Sequence, residues 1–133
     1  MRRVEFRILG VTPLPKQSFV KTKKGGYTNP RIKAWQNTVS WEAKIAMNGK
    51  DWLEGPLEAH LWFVRPNKRK VDVDNLSKAI LDAMNEIVYS DDKNVMDAYI
   101  HKRYGKPPGI YVCVMETIPI EIDLLTFTTG ETP

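Results

Sequence analysis

Residues 65–97 read RPNKRKVDVDNLSKAILDAMNEIVYSDDKNVMD. The stretch opens on a basic run, Arg65, Lys68, Arg69 and Lys70. Apolar residues then recur at Leu76, Ala79, Ile80, Ala83, Met84 and Ile87, the i, i+3, i+4, i+7, i+8 spacing of an amphipathic helix laid on a sheet. Asp74 is suited to cap that helix. Two acid pairs bracket it, Asp72 with Asp74 before and Asp91 with Asp92 after.

Upstream, residues 2–10 alternate, with Val4, Phe6 and Ile8 on one side and Arg3, Glu5 and Arg7 on the other, as in a half-buried strand. VTPLPKQSFVKTKKGGYTNP follows, a proline-broken basic loop or a hairpin around Gly25-Gly26. Phe19 and Tyr27 among its lysines could stack on bases while the lysines pair phosphates. Asn29-Pro30 starts a helix whose apolar stripe is Ile32, Trp35, Val39, Ala43 and Ala46-Met47, and Asn48-Gly49 ends it. A second strand alternates through Leu57, Ala59, Leu61 and Phe63, with Glu58, His60 and Trp62 opposite. Beyond residue 94, Val95–Tyr104 and Gly109–Ile118 read as two strands joined as a hairpin at Gly105–Gly109. The end, EIDLLTFTTGETP, reads as a short strand or a tail.

Strands in runs with two helices predict an α+β, two-layer domain: a mostly antiparallel mixed sheet with both helices on one face. At 133 residues one domain over 1–133 is expected, with about 120–133 as a C-terminal tail. No apolar run is long enough to span a membrane, and the N-terminus lacks the apolar core of a signal peptide, so a cytoplasmic location is expected. Cys113, the single cysteine, excludes an internal disulfide and a thiolate zinc cage.

The net charge of +4 conceals a division. Residues 1–33 hold nine Lys or Arg against Glu5 alone, a surface suited to a polyanion. Residues 71–97 hold seven acids against Lys78 and Lys93. In extended backbone Asp72 and Asp74 would point the same way, and two close carboxylates repel each other unless a cation intervenes. Hard oxygen ligands select Mg²⁺, Mn²⁺ or Ca²⁺ over zinc. An EF-hand is excluded, because Leu76 and Ser77 stand where that loop needs a ligand and a glycine. Asp74, Lys78 and Asp82 share one helix face, either as a surface salt-bridge ladder or with Lys78 held beside a metal to meet a phosphate. Asp91-Asp92 can be a turn former, and spacing alone does not bring it to Asp72.

The run VDVDNLSKAILDAMN followed by YSDDKNV resembles the RusA family of Holliday junction resolvases, which share D-x-D-N-x-x-K-x-x-x-D and a downstream D-D-x-x-V. VTPLPKQSF and the closing strand pair resemble the family as well, over roughly residues 5–117. The resemblance implies a homodimeric endonuclease, bacterial or phage-encoded, that cuts four-way DNA junctions symmetrically in recombination and repair. Its cofactor would be Mg²⁺, with Mn²⁺ able to substitute. By motif position Asp72, Asp74 and Asp92 would be the catalytic carboxylates that hold the metal. Asp91 would be able to share that role, and Lys78 would be the required lysine. Arg65, Lys68, Arg69 and Lys70, and the loop residues Lys16, Lys21, Lys23 and Lys24, would contact DNA phosphates. Two readings from the residues alone stay beside this one: a Mg²⁺-dependent phosphohydrolase of small phosphates, and a non-catalytic DNA-binding module.

Overall fold

The computed structural model describes residues 1–16, 20–22, 25–27 and 29–130, with 20–22 and 25–27 described by backbone alone. The elements are β1 (Arg3–Leu9), β2 (Val20–Thr22), β3 (Gly25–Tyr27), α1 (Pro30–Met47), β4 (Leu57–Arg65), α2 (Val73–Ala83), β5 (Val95–Tyr104) and β6 (Gly109–Glu116). The main sheet has the order β1-β6-β4-β5. Its first two pairings are antiparallel and the β4–β5 pairing is parallel. The expected α+β architecture is therefore present. β2 and β3 pair separately as a small hairpin, with Gly25 and Gly26 inside β3 and not at its turn.

Alternation explains which face each strand buries. Val4, Phe6 and Ile8 of β1, Leu57, Ala59, Leu61 and Phe63 of β4, and Ile110, Val112 and Val114 of β6 form one sheet surface. They join a single core with Trp35, Val39, Ala43 and Met47 of α1 and Leu76, Ala79, Ile80 and Ala83 of α2. Asn29 caps α1 as expected, its side chain accepting from Arg31 N–H at 2.8 Å, and Asn48 closes the helix in left-handed backbone. Trp35 is buried while Trp41 is 63% exposed.

The opposite sheet face has no helix over it among the described residues. It carries aromatic pairs across β4 and β5, with His60 stacked on Tyr99 at 4.7 Å and Trp62 on His101 at 3.8 Å. The Arg103 guanidinium lies over the Trp62 ring.

Two sequence expectations fail. β5 and β6 are not a hairpin: the connection crosses the end of β4, with Gly105 N–H donating to the Arg65 carbonyl at 3.0 Å, and β6 enters between β1 and β4. Burial supplies the reason. β6 is apolar on both faces, including Cys113, and belongs at the centre, whereas β5 carries Asp97, Lys102 and Arg103 and belongs at an edge. Gly109 permits the insertion, since any side chain there would meet the Ile8 carbonyl. The second correction concerns α2. Its N-cap is Asp72, in extended backbone and without a side-chain cap bond, and Asp74 lies inside the first turn.

Candidate active site

The site is strung along α2. At its N-terminal end the Leu76 N–H donates to the Asp72 carbonyl at 3.1 Å, which starts the helix, while both the Asp72 and Asp74 side chains are exposed. Because Asp74 is helical, the extended-strand argument for two carboxylates on one side does not apply to this pair. Lys78, one turn on, is also exposed. The salt-bridge ladder allowed by the spacing does not form among the described residues, because Asp82 pairs with Lys16 instead.

The C-terminal end is more elaborately bonded. After Met84 the chain reverses through Asn85–Tyr89, with Glu86 at φ 62° and its N–H donating to the Tyr89 carbonyl at 2.7 Å. The buried Tyr89 hydroxyl donates back to the Leu81 carbonyl at 2.6 Å. This reversal, which no glycine announces in the sequence, brings residues 91 and 92 back against the helix. The Asn85 side chain then accepts the Asp92 N–H at 2.8 Å. Asp91 opens a 3₁₀ turn over Asp92–Asn94, and its carboxylate accepts the Lys93 N–H at 2.9 Å.

The Asp92 carboxyl lies beside those of Asp82 and Asp91. Burial, and then those two partners, push Asp92 up to about 6. Asp91 moves the other way, held below the usual carboxylate range chiefly by the Lys93 N–H. Tyr89 is raised by burial first and by the surrounding acids second.

The structure thus joins Asp91, Asp92 and Asp82, and it leaves Asp72 and Asp74 at the other end of the helix. Among the described residues no three His, Cys, Asp or Glu side chains are placed to hold one ion together. Asp82 and Asn85 were not singled out as site residues from the sequence. Asp82 carries a signal, since it closes the D-x-D-N-x-x-K-x-x-x-D run, but its spacing from Asp74 and Lys78 equally fits a plain helix face. The donor chemistry fits a hard divalent cation: every donor is oxygen, and the crowding that raises the Asp92 carboxyl is what such a cation relieves.

The basic residues divide. Lys68, Arg69 and Lys70 are exposed on the turn between β4 and α2, where the Asn67 side chain accepts the Arg69 N–H at 3.1 Å. Arg65 departs from the expected surface contact, since only 6% of it is exposed. Alternation along β4 places it inward with Leu57, Ala59, Leu61 and Phe63. Lys16 is fixed at two points: its N–H donates to the Asn75 carbonyl at 2.9 Å and its Nζ pairs with Asp82. Lys23, Lys24 and the Lys21 side chain lie outside the described residues.

No helix of the described residues is long and apolar enough to cross a membrane. The chain matches the family model described as "Endodeoxyribonuclease RusA" over residues 10–115. It is 28% identical over 101 residues to the "Crossover junction endodeoxyribonuclease RusA" of Aquifex aeolicus (strain VF5), an alignment covering 74% of this chain and 79% of the relative. It is also 37% identical over 59 residues to the "Uncharacterized protein YqaN" of Bacillus subtilis (strain 168), covering 44% of this chain and 41% of that one. The matched region contains α2, both acid pairs and the basic turn, and the chain belongs to the RusA family of endodeoxyribonucleases.

Proposed function

We propose that this protein is a metal-dependent endonuclease that resolves four-way DNA junctions by symmetric phosphodiester hydrolysis, in recombination and repair. The observation that carries the proposal is the placement of Asp72, Asp74, Lys78 and Asp82 along α2, with Asp91 and Asp92 folded back beyond its end, in a chain of this family. The proposed ligands of the ion, Mg²⁺ with Mn²⁺ able to substitute, are Asp72 and Asp74 at the start of α2 and Asp92 with Asp91 beyond its end, two pairs that stand apart in the structure and that a shared ion would have to draw together. When bound, such an ion activates a water and offsets charge on the cut phosphate. Lys78 is exposed on the same helix and would hold a phosphate oxygen as negative charge grows. Lys68, Arg69 and Lys70 would attract the backbone and fix the strand's register.

Cutting two opposed strands symmetrically requires two equivalent sites, which a two-fold homodimer supplies. Residues 1–133 would act as one domain in the bacterial cytoplasm, host- or phage-encoded, with the segment from about residue 120 as a tail. The test is cleavage of a labelled four-way junction and a matched linear duplex, with Mg²⁺ or with EDTA. Cutting confined to the junction and abolished by EDTA is expected. Equal cutting of both substrates removes the junction reading, and cutting in EDTA removes the metal.

A further inference from the structure

Beside the acids lies a cavity of about 500 Å³ between the end of β4, the turn that follows it, the start of α1 and the segment around Pro15. Arg31, Arg65, Arg69 and Lys70 line it, together with Thr12 and Asn67, and no acid is among its described lining residues. Arg65 is the unusual member. It is nine-tenths buried, its Nε has no hydrogen-bond partner, and no carboxylate pairs with it among the described residues. Its one side-chain bond among the described residues is Nη1 to the Arg69 carbonyl, a long 3.5 Å.

A buried guanidinium stays charged and is costly without a counter-charge. Burial and the neighbouring Arg69 both weaken its hold on its proton. The fold could have supplied an acid and instead adds more positive charge. α1 begins at the cavity edge, so an 18-residue helix directs its positive end there, and no acid occupies its first turn. Such a site lacks an anion.

We propose that this cavity is a seat for one backbone phosphodiester of the DNA strand, close to the phosphate that is cut. Val71 lines the seat and Asp72, the next residue, starts α2, so strand seated here passes directly to the acids. This inference rests on the endonuclease reading and adds to it. The basic turn is not a diffuse attractive surface but one wall of a recessed, open-mouthed site, to which Arg31 of α1 and the interior Arg65 also contribute. A seated phosphate would fix which bond reaches α2.

The experiment uses four-way junctions carrying a single uncharged methylphosphonate, moved one position at a time through the three phosphates on either side of the cut. For the wild type, one position should weaken binding about tenfold, the scale of one charged hydrogen bond. The same substitution should cost Arg31→Gln/Arg69→Gln, whose changed side chains are exposed, under about twofold. Arg65→Met should fold at least as stably as the wild type, because it removes an unpaired buried charge, and it should lose the same sensitivity. A wild type that cuts junctions but tolerates every neutral phosphate equally overturns the seat and leaves the endonuclease reading standing. A neutral phosphate that weakens wild type and double variant equally overturns it too. If no junction is cut with any divalent metal, the endonuclease reading fails. The seat is then decided by inorganic phosphate alone, which should raise the melting temperature of the wild type and not of Arg65→Met. Equal shifts in the two proteins overturn it.

Discussion

At the N-terminal end of α2 the carboxylates of Asp72 and Asp74 stand in solvent, and Asp72 forgoes even the cap bond open to it. At the C-terminal end Asp82 is tied to Lys16, Asp92 to Asn85, and Tyr89 to Leu81. One end keeps its bonding capacity for something outside the chain, while the other spends that capacity inside it. Exposed groups with no internal partner can be altered without harm to the fold, so their loss should appear in chemistry alone. Groups bonded internally should report in stability, and in its dependence on pH.

The largest expected effect tests the open end. Asp74→Asn should lower junction cleavage at least about a thousandfold, as loss of a residue that acts in the transition state does. Its melting temperature should stay within about 1 °C of the wild type, and its junction binding should be undiminished. A fall of several degrees by calorimetry would show that the two ends do not differ as described.

The next effect tests the closed end through pH. Asp92 binds its proton more tightly folded than unfolded, about 6 against 3.8. Its contribution to stability is therefore fully present below about pH 4 and is lost as pH rises through about 6. Asp92→Asn fixes the neutral form. The variant should melt near the wild type at pH 4 and above it at pH 8. The gap should be about 1 kcal/mol, or about 3 °C, after discounting the full shift for partial exposure. A variant less stable than the wild type at pH 8 would contradict the crowding of these acids.

The smallest effect concerns the tie between the ends. Lys16 spans from Asn75 in the first turn of α2 to Asp82 at its close, with both members of the ion pair partly exposed. Lys16→Ala and Asp82→Ala should each destabilise by under about 1 kcal/mol, and the double variant should show a coupling of about 0.5 kcal/mol. Strict additivity in denaturant titrations would mean that the pair contributes nothing.

Local periodicity was enough for α1, α2 and β4, because each has one buried stripe and recognisable end residues. It was not enough for the strand order, which depends on comparing the burial of β5 with that of β6 across the whole sheet. The cap of α2 went to Asp72 because neighbouring aspartates are equally able to begin a helix, and the path in from β4 decides between them. Asp92's approach to Asp82 depends on Glu86 adopting positive φ, a geometry its residue type does not signal. Arg65 is different, for its burial was visible in the alternation of β4. Its charge suggested a surface contact, and charge was the poorer guide.

The placement of β6 also bears on how the chain can be made. Among the described residues β1 pairs only with β6, so Arg3 waits for Met115 and Leu9 for Gly109, across nearly the whole sequence. As the protein emerges from the ribosome N-terminus first, β1 and one edge of β4 must remain unpaired until β6 appears. Such distant closure is slow and leaves strand edges open to neighbouring chains. β6 is thus the strand that makes the sheet continuous, and a chain stopped before residue 109 would carry both halves of the sheet with nothing to join them.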